Sequence, residues 1–146
     1  MKVLIDTNII LDFILRREPY YKNAAKINIL SEKGYLTAYI SASAVTDIFY
    51  IAKKELENKE KALELLKNLL KIICIASVTE DNIHEALDLK WEDFEDSVQY
   101  VAGKSISAEY IITRNPTDFE NSRIKVISPE EFLNQITSGI DIFYNK

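Results

Sequence analysis

The chain has 146 residues and lacks the material for several common kinds of site. Its one cysteine, Cys74, excludes an internal disulfide. Together with the one histidine, His84, it leaves no Cys/His zinc cluster. Three glycines and three prolines leave little material for long structureless linkers. The longest apolar runs, 48–52 and 72–76, are five residues each. That is too short for a membrane-spanning helix, and the opening MKVLIDTN carries no apolar stretch of signal-peptide length. The expectation is a soluble, cytoplasmic protein without membrane contact. Positive charge is also short, with 18 Lys and Arg against 23 Asp and Glu and a net charge of −5. Global charge therefore does not draw this chain to nucleic acid, although local basic patches remain open.

What is present suits one globular domain. Hydrophobic residues make up 47% and charged residues 28%. A fold of this length buries roughly 70% of its unfolded surface, so a core forms without staples. Residues 2–5 form a short apolar, partly β-branched run that stops at Asp6 and reads as a buried parallel strand. Helical spacing follows over 9–15, and again over 21–33 up to Gly34. Residues 35–40 read as a strand. Ser41 or Ser43 then caps a helix with Val45, Ile48, Phe49 and Ala52 on its apolar stripe. Residues 60–70 give a fourth helix, with Leu63, Leu66, Leu69 and Leu70 inward. Residues 72–76 carry the strongest strand signal, with Cys74 as a buried small hydrophobe.

Ser77 and Glu80 have capping-box spacing and open a helix through Leu89. A polar connection with Trp91 leads to a helix beginning at Asp96. Strands at 110–113 and 125–127 bracket a loop over 114–120. Ser128, Pro129 and Glu131 open a last helix over 129–136. Strands alternating with helices imply a parallel sheet covered on both faces. Residues 1–136 are expected to form one domain, with 137–146 as a tail.

Ligands in open α/β sheets sit outside the carboxyl ends of the strands. Asp6 ends the first strand, Asp96 opens a helix after a polar loop, and Asp118 follows the fourth strand. Asp47 lies inside a helix on a partly apolar face, where a lone Asp is a poor fit. Singly, each has an ordinary explanation as a cap or turn residue. A haloacid-type phosphohydrolase needs a second Asp two residues after the first, and here that position is Asn8. A phosphoacceptor receiver needs an acidic pair at the first strand end, and here Asp6 stands alone.

Four blocks carry a resemblance. They are Val3-Leu4-Ile5-Asp6-Thr7-Asn8, Ser43-Ala44-Val45-Thr46-Asp47-Ile48-Phe49-Tyr50, Asp93-Phe94-Glu95-Asp96-Ser97-Val98-Gln99-Tyr100 and Ile112-Thr113-Arg114-Asn115-Pro116-Thr117-Asp118-Phe119. In this order they resemble the PIN-domain family, over roughly residues 1–132. The second block looks like the subgroup with Asp in the second acidic position. The resemblance implies a three-layer α/β/α sandwich around a mainly parallel sheet. It implies a metal-dependent ribonuclease using Mg²⁺ or Mn²⁺, a homodimer, and a VapC-like toxin partnered by an antitoxin protein. Carried over by position, Asp6, Asp47, Asp96 and Asp118 would be the catalytic and metal-binding quartet. Asn8, Thr113, Asn115 and Arg114 would support it. Asp47 stands where most of the family has Glu, and Asn115 where many members have another Asp. A second reading is therefore a PIN-like module that holds RNA or protein with weak catalysis or none.

The chemistry agrees with the residue types. Phosphodiester cleavage builds negative charge on a group already anionic, and cations must offset it. An all-carboxylate quartet suits an oxygen-loving ion over zinc. Two unit charges about 4 Å apart repel by about 4 kcal/mol at an effective dielectric near 20, so four carboxylates need a cation to share one site. Arg16, Arg17, Lys22, Lys53, Lys54 and above all Arg114 are the candidate RNA contacts. Tyr20, Tyr21, Tyr50 and Tyr100 are candidate stacking platforms.

Overall fold

A computed structural model describes residues 1–138. Strands β1 (Lys2–Ile5), β2 (Thr37–Ser41), β3 (Cys74–Ala76), β4 (Tyr110–Ile112) and β5 (Lys125–Ile127) form one sheet in the order β3-β2-β1-β4-β5. Every pairing is parallel. The helices among the described residues are α1 (Thr7–Ile14), α2 (Tyr21–Glu32), α3 (Ala42–Leu56), α4 (Lys59–Leu69), α5 (Glu80–Leu89), α6 (Phe94–Ser105) and α7 (Pro129–Thr137). A single 3-10 turn covers Pro116–Phe119.

Strand alternation splits the core in two. Val3, Ile5, Ala38, Ile40 and Ile112 face a layer that includes Ile9 and Ile10 of α1, Ile27 of α2, Ile48 of α3 and Phe132 of α7. Leu4 and Ile111 face the other way, onto Ala86 of α5, Val98 and Val101 of α6, and Phe119. The central strand β1 is apolar on both sides because helices cover both of its faces. This is the expected α/β/α sandwich, with a sheet that is parallel throughout.

Several local expectations give way to the structure. The strand expected over 72–76 shrinks to Cys74–Ala76 at the sheet edge, because the Ile72 and Ile73 amides instead donate to the Leu69 carbonyl, both at 2.9 Å, as α4 unwinds. Cys74 is exposed on that edge rather than buried. Leu63, expected inward on α4, is 42% exposed, and Ala62 takes the buried position beside it. Helix α5 is capped by Thr79 with Asn82, not by Ser77 with Glu80. Helix α6 begins two residues earlier than expected, because the Asp93 carboxylate accepts from the Asp96 amide at 3.0 Å and so becomes the cap. The expected tail, 137–146, loses Thr137 to α7, and residues 139–146 lie outside the described residues.

Helix α6 crosses close to β1 at Gly103. A Cβ there would meet Ile124 Cδ1 at 3.3 Å and Leu4 Cδ2 at 3.4 Å. Alanine at this site gains about 1 kcal/mol of helix propensity but tightens that contact. Gly103→Ala is therefore expected to be near neutral, while Gly103→Val overpacks the layer and lowers stability by about 1–3 kcal/mol. The urea midpoint of each variant checks this.

Candidate active site

The strand order reverses between β1 and β4, which opens a crevice at their carboxyl ends. Ile5 pairs with Ile112, so the next residues, Asp6 and Thr113, leave the sheet level with each other. The Asp6 amide donates to the Ile112 carbonyl at 3.0 Å. The Thr113 hydroxyl donates to Asp6 Oδ2 at 2.8 Å, with both side chains buried. Thr113 Oγ1 in turn accepts from the Asn115 amide at 3.1 Å.

An open cleft of about 440 Å³ surrounds Asp6. From β1 and α1 come Asp6, Thr7 and Asn8, from α3 Asp47, from the start of α6 Asp96, and from the 3-10 turn Asp118. The structure thus brings the four expected aspartates to one cleft, with Asn8 beside them and Thr113 beneath Asp6. Four more polar lining residues escaped the sequence reading: Thr7, Asp93, Glu95 and Gln99. Gln99 lies three residues after Asp96, and so on the same face of α6, a spacing that could have marked it. Asp93 is legible only as a cap, once the start of α6 is known. Tyr50 and Ile51 form an exposed rim.

The cleft is crowded with negative charge, and among the described residues no Lys, Arg or His lines it. Burial pushes the Asp6 carboxyl above its ordinary range, and the Asp118 charge adds to that. Hydrogen bonds from Thr113, Gln99 and the Thr7 backbone pull it part of the way back. Asp96 is pushed up to about 7, by burial first and then by the charges of Asp93, Asp6 and Asp118. Glu95 also rises to about 7, first through its hydrogen bond with Asp47, then through burial and the charges of Asp47, Asp93 and Asp96. Gln99 is 2% exposed and donates its amide to Asp6. Its Oε1, like Thr7 Oγ1, has no hydrogen-bond partner among the described residues.

Buried oxygens without donors, raised carboxyl pKa values and an all-oxygen donor set fit a hard divalent cation carrying its own water. Among the described residues, no three acidic, His or Cys side chains converge tightly enough to ligate an ion directly. Water would therefore complete most of the shell, as is usual for Mg²⁺.

Arg114 and Asn115 do not line this cleft. They line a separate recess between α1, α2 and the start of α7. Arg114 Nε lies 3.0 Å from Oδ2 of the fully buried Asp12, and Arg114 Nη2 donates to Asp12 Oδ1 at 3.4 Å. Arg17 approaches the same carboxylate at 3.9 Å and also pairs with Glu55. Burial raises the Asp12 pKa, and the two arginines lower it again. The best candidate cation is thus committed to a buried acid. Trp91 stacks on Tyr100 at 4.9 Å, and its surroundings lie outside the acidic cleft. His84 is exposed on α5.

The raised carboxyls give a signed pH dependence. Each binds its proton more tightly in the folded chain. Its stabilising contribution is therefore complete below the ordinary carboxyl range and is lost as pH rises to about 7. In EDTA, Tm is expected to fall from pH 4 to pH 7, and Asp96→Asn to flatten part of that slope. Thermal melts across the pH range check both.

Comparison with known proteins places the fold. The family model described as the PIN domain matches residues 2–117. No curated protein matches the sequence. Among solved structures, the chain is similar to VapBC-1 from nontypeable Haemophilus influenzae, with a TM-score of 0.68 at 17% identity, covering 89% of this chain and 99% of that one. It is similar to VapBC2 from Rickettsia felis, solved on a DNA fragment from their promoter, with a TM-score of 0.65 at 19% identity, covering 87% of this chain and 97% of that one. It is also similar to VapC20 of Mycobacterium tuberculosis, described as a sarcin-ricin loop cleaving toxin, with a TM-score of 0.62 at 10% identity, covering 75% of this chain and 86% of that one. These likenesses show the shared fold, and the match across most of the sequence shows the descent: the chain belongs to the PIN-domain family.

Proposed function

We propose that the protein is a metal-dependent endoribonuclease, the toxin half of a toxin–antitoxin pair, working in the cytoplasm as a homodimer with Mg²⁺ or Mn²⁺. The observation that carries the nuclease reading is the acidic cleft in which Asp6, Asp47, Asp96 and Asp118 converge at the sheet's switch point. The toxin role and the antitoxin partner rest on the VapBC character of the similar structures.

Asp6, Asp96 and Asp118, in part through bound water, would hold a divalent ion, which would supply charge stabilisation to a scissile phosphate and lower the pKa of a water. The chain's own part is preorganisation. Thr113 donates to Asp6 Oδ2 and the Gln99 side chain also hydrogen-bonds the carboxylate, which restricts its orientation in the cleft. Thr7 Oγ1 and Gln99 Oε1 offer acceptors to bound water. Glu95, whose carboxyl is raised to about 7 by its hydrogen bond to Asp47 and by burial, is suited to move a proton between water and a leaving oxygen. Asn8 lies beside Asp6 and orients water at the rim.

Purified protein incubated with structured and single-stranded RNAs is expected to cut with Mg²⁺ or Mn²⁺ and not with EDTA. Asp6→Asn and Asp96→Asn are expected to lose at least about 100-fold in rate. Thr113→Val is expected to weaken metal affinity about 10- to 100-fold, read as a shift in the metal concentration needed. Metal at one hundred times its Kd adds about 2.7 kcal/mol of stability, which a melt detects without any substrate. RNA retained without cleavage, together with no metal effect on Tm, overturns this reading and leaves a binding module.

A further inference from the structure

The recess beside the acidic cleft has a volume of about 260 Å³, smaller than a drug-sized pocket and suited to a single flat ring system. It starts one residue from the site. Thr113 holds Asp6, and the next two residues, Arg114 and Asn115, line the recess. Consecutive Cα atoms are about 3.8 Å apart, so the backbone that holds Asp6 runs directly into the wall of the recess.

Its walls are preorganised. Asp12, fully buried, fixes the Arg114 guanidinium, whose carbon stands 4.0 Å from the centre of the Tyr20 ring. Tyr20 remains 43% exposed. Asn23 and Asn115 contribute side-chain amides to the lining, each with donors and an acceptor. Charge decides what fits. Asp12 neutralises Arg114, and Glu130 adds a negative charge at the recess, so a phosphate is disfavoured. A neutral, planar group with hydrogen-bonding edges matches both the stack and the amides.

We propose that this recess is a nucleobase subsite. It takes the unpaired base of a nucleotide next to the scissile phosphodiester, stacks it on Tyr20 and reads its edge with Asn23 and Asn115. Unstacked RNA bases are recognised in this way, by aromatic or guanidinium stacking and by polar contacts at their edges. The place of that nucleotide in the RNA rests on the ribonuclease reading above, while base binding itself does not.

The experiment titrates the full-length protein in EDTA with adenosine, guanosine, cytidine and uridine in turn, and with inorganic phosphate, following the Asn23 and Asn115 side-chain amides by NMR. At least one nucleoside is expected to shift both signals. Tyr20→Leu is expected to weaken that binding about 5- to 150-fold, the range found for one stacked base. Tyr20→Phe, which keeps the ring, is expected to retain it. No shift with any nucleoside, equal binding by Tyr20→Leu, or a comparable shift with phosphate overturns the proposal. A protein that binds a nucleoside but cuts no RNA keeps the subsite and loses the ribonuclease reading. One that cuts RNA and ignores every nucleoside does the reverse.

Discussion

The hydrogen bond from Thr113 to Asp6 ties the fold to the site. It spans 107 positions in sequence and closes at 2.8 Å. It forms because β1 and β4 are in register and both end at the same level, where the strand order reverses. Without it, a buried carboxylate would stand among other carboxylates with little to hold its orientation. With it, and with the Gln99 amide, Asp6 is fixed at the floor of the cleft.

Around that floor the chain accepts an electrostatic conflict. Asp96 and Glu95 are driven up to about 7 by burial and by neighbouring acids, and none of the cleft's lining residues is basic. A fold selected for stability alone would place an arginine there. Instead Arg114, the residue after Thr113, pairs with the buried Asp12 of α1. The cleft keeps its negative charge for an external cation, and the loop after β4 serves two neighbouring environments. One is acidic and open; the other pairs Arg114 with Asp12 and is flanked by an aromatic ring.

Much of the site was readable from local signals. An apolar run that stops at Asp6, an Asp in the middle of an amphipathic helix and an Asp after the fourth strand each mark a place where the usual pattern breaks. Such breaks concentrate at functional sites. The errors share one origin. Residues 72–76 have strong strand propensity, but edge position and the exit of α4 leave only Cys74–Ala76 in the sheet. Ser77 and Glu80 have the right spacing for a capping box, yet Thr79 and Asn82 form it. Local spacing admits several caps, and packing selects one.

The sequence by itself determined the alternation of strands and helices, the two-sided burial of β1 and the shortage of metal ligands other than carboxylates. These follow from composition and period, which are local properties. Tertiary structure decided which acids meet, that Gln99 supports Asp6, and that Arg114 belongs to Asp12. The reason is physical: a side chain's partner is set by strand order and register, and those depend on contacts between residues far apart in the chain.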